Sequence, residues 1–278
     1  MYKTRLCLGT SQCFLMSTEE QIKLFKQIGF DGFFTMWDEN LKSYRTVADE
    51  VGMIYQSVHA PFKKASQMWK GNEEAQAAVE ELLRCVKDCA EVEVPILVVH
   101  PYIGFDKKPE SIEKGIENFG TVVRAAKQAN VQIAFENVEG EECLAALMDA
   151  FKDEAHVGFC WDTGHETCYN MGKDMLALYG ERLIATHIND NLGVSDYNGR
   201  TYWTDDLHLL PFDGIINWKG VAERLNRCRY DGILTFELTR VSKPNRHEND
   251  RYQKMDTAEY LTECYVRACR LAYLKQNL

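Results

Sequence analysis

Apolar residues in this chain fall in short runs separated by longer amphipathic stretches. The short runs are "RLCLG" (5–9), "FDGFFT" (30–35), "MIYQSVHA" (53–60), "PILVVH" (95–100), "VQIAFEN" (131–137), "VGFCWDT" (157–163), "LIATHIN" (183–189) and "ILTFELT" (233–239). Rich in β-branched and aromatic residues, they predict eight strands, and their continuous rather than alternating hydrophobicity fits strands buried on both faces of a parallel sheet. The stretches between them carry helical periodicity. "STEEQIKLFKQIG" (17–29) opens on a capping signature, Ser17 with Glu20 three residues on, and closes at Gly29. Residues 72–92, 111–130 and 256–276 repeat apolar positions at the same spacing, and shorter helices fill the other intervals.

Eight strands in 278 residues leave about 35 residues per repeat, the size of a βα unit. The pattern predicts one α/β domain over residues 1–278, a single (β/α)8 TIM barrel. A doubly wound open sheet is the alternative. It would want a glycine-rich phosphate turn after the first strand, and "LGTSQCF" is not GxGxxG.

Composition narrows the function classes. A net charge of −10 gives no general cationic face for nucleic acid, although a local basic groove stays open. The ten cysteines are scattered and form no CxxC pair, which reads as free thiols in a reducing cytoplasm. "MYKTRLCLGT" has no long apolar core of a secretory signal. The longest strongly apolar run, "PILVV", is far too short to span a bilayer. A cytoplasmic protein with no membrane partner is expected. Assembly as a homo-oligomer stays open.

In a barrel the chemistry lies at the C-terminal ends of the strands. The third run ends in His59, the fourth in His100, the fifth in Glu136, the sixth in Asp162 with His165 just beyond, the seventh in His187 and the eighth in Glu237. The long segment after the seventh adds Asp206 and His208. Each histidine alone is as easily a structural hydrogen-bonder as a ligand. Together with four carboxylates, however, five of the seven histidines aim at one small volume. That much acid in one pocket is costly unless compensated, and a divalent metal is the obvious compensation. Mixed imidazole and carboxylate ligation suits Zn, Mn, Co or Fe(II). In "WDTGH" (161–165), Asp162 is either a helix cap or a strand-end ligand, and Gly164 is expected to let the backbone turn both polar side chains into the pocket.

"VHAPF", "VVHPYIG", "FENVEG", "CWDTGHE", "THINDN", "DLHLLPFDGIINW" and "FELT" resemble, in order, the motifs of the xylose-isomerase-like TIM-barrel superfamily. This superfamily holds sugar and sugar-phosphate isomerases and epimerases, inositol-catabolism enzymes and endonuclease IV. Its isomerase and epimerase members imply one metal held by Glu136, Asp162, His187 and Glu237, with Glu136 and Glu237 as the acid–base pair. His59, His100 and His165 would then be substrate contacts, and Trp203 and Arg240 are candidates for the same role by residue type and position. The endonuclease IV members imply three metals: His59, His100 and Glu136 on one; Glu136, Asp162, His187 and Glu237 on a second; His165, Asp206 and His208 on a third.

Two further observations weigh between these branches. The segment after the second strand, "MWDENLKSYRTV", is mixed in charge and lacks the Pro-Arg-x-Trp type of segment found there in endonuclease IV, and the segment after the seventh strand is acidic and aromatic. Trp37, Trp69, Trp161 and Trp203 fall near the active face, where rings suit the CH faces of a sugar or polyol. Arg200, Arg240 and Arg246 are candidates for a phosphate or carboxylate. "PFDG" departs from the Pro-Gly-x-Gly turn of sugar-acting relatives at Phe212 and Asp213. The expected activity is therefore a divalent-metal sugar or sugar-phosphate isomerase or epimerase, with a multinuclear zinc phosphodiesterase resembling endonuclease IV as the alternative.

Overall fold

The computed structural model describes residues 4–105, 108–196 and 198–278. Eight parallel strands run in sheet order β7-β6-β5-β4-β3-β2-β1-β8. They are β1 Leu6–Gly9, β2 Gly32–Met36, β3 Ile54–His59, β4 Ile96–Val99, β5 Gln132–Glu136, β6 Val157–Asp162, β7 Leu183–His187 and β8 Leu234–Phe236. The remaining seam is closed by an isolated parallel bridge between Ile188 and Phe236 and by the Ile188 amide donating to the Thr235 carbonyl. The barrel is nearly closed, as the eight apolar runs predict.

Each strand is followed by one or more helices: α1 Thr18–Ile28, α2 Leu41–Val51, α3 Glu73–Glu91, α4 Ile112–Gln128, α5 Glu141–Ala150, α6 Thr163–Cys168, α7 Met175–Tyr179, α8 Trp218–Arg227, α9 Asp250–Gln253 and α10 Thr257–Asn277. The capping box at Ser17 is formed in both directions: the Glu20 amide donates to Ser17 Oγ and the Ser17 amide donates to Glu20 Oε2. Asp256 and Glu259 form a second one at the start of α10.

The interior layer of the barrel decides where the chemistry sits. Ile96, Val98, Ala134, Cys160 and Ala185 pack together inside it, while Leu97, Val99, Ile133, Phe135, Phe159 and Trp161 join the larger core under the helices. Side chains alternate faces along a strand. The residue two positions after each interior residue therefore also points inward, one layer nearer the mouth. Val98 leads to His100, Ala134 to Glu136, Cys160 to Asp162 and Ala185 to His187. The polar cluster is the top layer of the barrel interior.

Candidate metal centre and active site

Glu136 is the hub of that layer and is fully buried. Its Oε2 lies 3.2 Å from His59 Nε2 and 3.1 Å from His100 Nε2. Its Oε1 lies 2.7 Å from His187 Nδ1. The same His187 nitrogen is 3.2 Å from Glu237 Oε2, so one imidazole atom faces both glutamates. The ring is fixed by stacking on Phe34 at 4.7 Å between centroids. Gly9 allows that stack, because a Cβ there would lie 2.4 Å from the Phe34 ring.

Asp162 is both things its sequence context suggests. It is the last residue of β6 and the N-cap of α6: its Oδ1 accepts from the His165 amide at 2.6 Å, and its Oδ2 accepts from Asn189 Nδ2 at 2.9 Å. The Asn137 side chain clamps this strand end, taking the Asp162 amide and donating to the Asp162 carbonyl, both at 2.8 Å. Gly164 does not serve as a turn. It lies within α6, and a Cβ there would come 1.9 Å from Asn189 Oδ1. The requirement is close approach of α6 to Asn189, not a special dihedral.

The outer part of the cluster comes from α6 and the segment after β7. His165 stacks on Tyr169 at 4.9 Å, and its Nε2 is 3.5 Å from Asp206 Oδ1. His208 Nε2 is 2.8 Å from Asp206 Oδ2, and its Nδ1 is 3.2 Å from the Glu237 carbonyl. His208 is held at φ 47° and Phe212 at φ 75°. The glycine expected at position 212 is thus absent while its left-handed backbone remains, a strained state the surroundings must enforce. Asp190 does much of that enforcing. It is fully buried and accepts from the amides of Asn191, Phe212 and Ile216 and from Trp218 Nε1, at 2.8–3.1 Å.

The electrostatics follow from this crowding. Burial works to raise the Glu136 carboxyl, but His187, with hydrogen bonds from His100, His187 and His59, holds it well below the usual range. Burial likewise opposes ionisation of Glu237, yet His187 and His208 bring it down to about 2. Burial raises Asp162 to about 6 against the pull of His165. The histidines move the other way. Burial disfavours charge on His187, but Cys160, Glu136 and Glu237 raise its pKa well above the ordinary value. Against the same penalty, Asp206 and Glu237 lift His208 to about 9. Among the protein's own groups, then, the carboxylates favour charge on His165, His187 and His208, whereas burial lowers His100.

The donor set fits a divalent cation. Glu136, Asp162, His187 and Glu237 can each present one donor atom within 4.8 Å of the others, as can His59, Glu136 and His187, and His165, Asp206 and His208. His100 joins through Glu136 Oε2. All nine residues of the three-metal pattern converge.

A cavity of about 230 Å³ opens over the cluster, lined by His59, His100, His165, Trp203, Asp206, His208 and Glu237 together with Phe62, Phe105, Glu139, Tyr169 and Lys243. Other expected substrate contacts lie elsewhere. The Arg240 guanidinium is turned away, donating to the carbonyls of Cys13 and Met255 and to Thr257 Oγ1; it ties the β8 end to α10, and its assignment as a substrate contact is corrected. Arg246 donates to the Thr204 carbonyl and Asp205. Trp69 and Trp161 are fully buried, their indole N–H groups given to the Pro101 carbonyl and Glu166. Lys243 lies in the polar run 242–254, which carries no chemical motif. The fold brings its Nζ 3.8 Å from Asp206 Oδ2 and over the Trp203 ring. Tyr169 was not among the expected contacts, although its place one helical turn after His165 is a spacing that could have marked it.

The family described as "Xylose isomerase-like TIM barrel" matches residues 22–263. A relative from Mycoplasma mycoides subsp. mycoides, named probable endonuclease 4, is 24% identical over 204 residues, covering 66% of this chain and 68% of its own length. Among solved structures, the apo form of 3-keto-D-glucoside 4-epimerase from E. coli superposes with a TM-score of 0.68 at 17% identity, over 93% of this chain and 98% of its own. The IolI protein, solved with a zinc atom, superposes with a TM-score of 0.75 at 16% identity, over 99% and 100%. At these identities the solved structures speak to the fold. Among the described residues no helix is long and apolar enough to cross a membrane.

Proposed function

Since this chain belongs to the xylose isomerase-like TIM-barrel family, we propose that it is a divalent-metal-dependent isomerase or epimerase of a sugar-sized substrate. The observation that carries this reading is the pair of glutamates facing one imidazole nitrogen, Glu136 at 2.7 Å and Glu237 at 3.2 Å from His187 Nδ1. Glu136, Asp162, His187 and Glu237 would hold the metal, with zinc, manganese or cobalt all suited to their donors. When bound, the metal supplies Lewis-acid stabilisation of negative charge developing on a substrate oxygen.

The chain's own groups do the proton work. Glu237 lines the cavity, and Glu136 does not. Glu237 therefore takes the proton from the carbon beside a carbonyl, the C–H electron pair forms a C=C bond, and the carbonyl π pair moves onto the oxygen. Glu136 reaches the cavity through His59 and His100, whose rings line it and whose Nε2 atoms contact Glu136 Oε2. A proton delivered from that side returns to the opposite face for an epimerisation, or to the neighbouring carbon for an isomerisation. Tyr169, Phe62 and Trp203 offer ring faces to the CH side of the substrate.

The test is wash-in of solvent deuterium across a panel of ketoses with metal-loaded protein. Exchange into at least one sugar, lost in Glu237→Gln, is expected. No exchange with any sugar, or undiminished exchange in the variant, contradicts the reading.

A second reading rests on the outer group of His165, Asp206 and His208 and on the relative named as an endonuclease. If a third metal sits there, hydrolysis of a phosphodiester becomes available through a metal-generated hydroxide. Three tightly held zinc ions per chain, with incision of abasic-site duplex DNA at enzyme-like rates, would establish it over the isomerase.

A further inference from the structure

A second cavity, of about 520 Å³, opens at the barrel mouth beside β1 and β2. His208 and Glu237 line both cavities and stand between them. The apolar part of the second cavity is formed by Phe34, Met16 and Met36; its walls carry Thr10, Gln12, Thr18 and Thr239. Among the described lining residues there is no lysine or arginine. One imidazole, His208, lines the cavity, its ring nitrogens already facing Asp206 and Glu237, and the remaining fixed charges are two carboxylates. One is Glu237; the other is Asp38, held in place by the Tyr44 hydroxyl and the Asn40 amide, both at 2.7 Å.

This lining is wrong for a phosphate. A dianion needs arginine or lysine, or free amides at a helix start. The start of α1 does border the cavity through Ser17 and Thr18, but its first turn is already capped by Ser17 and Glu20. It also carries the negative charges of Glu19 and Glu20. Hydroxyls and an amide over an apolar base instead match a polyhydroxylated group, whose CH face packs on rings while its hydroxyls find donors and acceptors.

We propose that this cavity receives an uncharged, hydroxyl-rich part of the substrate, a second sugar ring or polyol tail. The substrate is then a neutral glycoside lying across Glu237, not a sugar phosphate. The assignment rests on the reading of Glu237 as a group that works on a sugar.

The experiment is calorimetric titration of the metal-loaded chain with glucose, glucose 6-phosphate and four neutral disaccharides: maltose, cellobiose, sucrose and trehalose. At least one disaccharide should bind about tenfold tighter than glucose, a gain of about 1.4 kcal/mol, and glucose 6-phosphate no tighter than glucose. Thr10→Phe, which fills the cavity, should remove most of that preference, and Thr10→Val should weaken it about fivefold by deleting one hydroxyl. Circular dichroism checks that the variants fold, and Thr10→Val carries the test if Thr10→Phe does not. Disaccharides that all bind like glucose, a preference untouched by the folded variants, or tighter binding of glucose 6-phosphate would overturn the proposal. Deuterium wash-in run on the ketose panel with the same metal-loaded protein separates the two assignments. Disaccharide preference without exchange keeps the cavity assignment and refutes proton transfer at Glu237; exchange without disaccharide preference does the reverse.

Discussion

The inner and outer halves of the polar cluster contain the same residue types but are built by different means. Glu136, Asp162 and His187 are terminal residues of strands, all fully buried, and their side chains extend the packed layer of Ala134, Cys160 and Ala185. They cannot move unless the barrel moves. His165 sits on a short helix, and Asp206 and His208 on the long segment after β7, where they are partly exposed. Their placement depends on a left-handed backbone at His208 and Phe212 and on the donors gathered by Asp190. The inner half is a property of the fold. The outer half is a property of a short helix and one loop, which can be retuned without disturbing the barrel.

Proton transfer should break this comparison most visibly. Of the Glu136/Glu237 pair, Glu237 is the member that faces the cavity, and Glu237→Gln should slow deuterium wash-in about 10²–10⁴-fold, the usual contribution of a general base. His165→Ala should slow it less than about tenfold. Equal losses in the two variants would give the outer group a part in the chemistry that the isomerase reading does not assign.

Stability should separate the halves next. Glu136→Gln leaves the buried His59 and His187 and the partly exposed His100 without their shared carboxylate and should cost about 3 kcal/mol. His208→Ala, on the looser side, should cost about 1 kcal/mol. Urea denaturation of the chelator-treated protein reads both. A His208 effect equal to that of Glu136 would mean that the loop is as integral to the fold as the strands.

Asp190→Asn tests how the loop is held. The amide keeps an acceptor but loses the charge and one oxygen, and four donors depend on that carboxylate. About 2 kcal/mol of stability should be lost. Any metal bound at His165, Asp206 and His208 should also be lost, with the inner group keeping its metal. Metal analysis after dialysis checks the second point.

The smallest effect lies at Asp213, in the turn where a glycine was expected. Partial burial works to raise its carboxyl, but Tyr252, Arg251 and Arg267 hold it below the usual range. A depressed folded value means that its stabilisation is present above the unfolded value near about 4 and disappears as pH falls through the lower folded one. Asp213→Asn should cost about 0.5–1 kcal/mol at pH 7, after allowance for screening, and nothing once the pH is well below 3. Thermal unfolding at the two pH values measures it.

What could be read in the sequence follows the same division. The polar residues at the strand ends were legible because two simple periods apply: apolar runs mark the strands, and the last polar residue of each run marks the mouth of the barrel. The capping box at Ser17 was legible for the same local reason, while the one at Asp256 follows the same spacing but was not anticipated. Lys243, Asn137, Asn189 and Asp190 were not. Each earns its place through a partner 25 or more residues away, as Asn137 does with Asp162 and Asp190 with Trp218, and no local pattern marks such pairs. Arg240, Trp69 and Trp161 misled for the complementary reason. Residue type near the mouth suggested binding, but their polar groups are engaged by backbone carbonyls and by Glu166. The turn expected at Gly164 is not there; the position is constrained instead by contact with Asn189.

The claim that the strand-built group is the metal centre is tested most directly by a crystal structure of the zinc-loaded protein with anomalous data at the zinc edge. The account predicts a strong anomalous peak among Glu136, Asp162, His187 and Glu237, at higher occupancy than any peak beside His165, Asp206 and His208. No peak at the inner group, with zinc found only at the outer one, would contradict it.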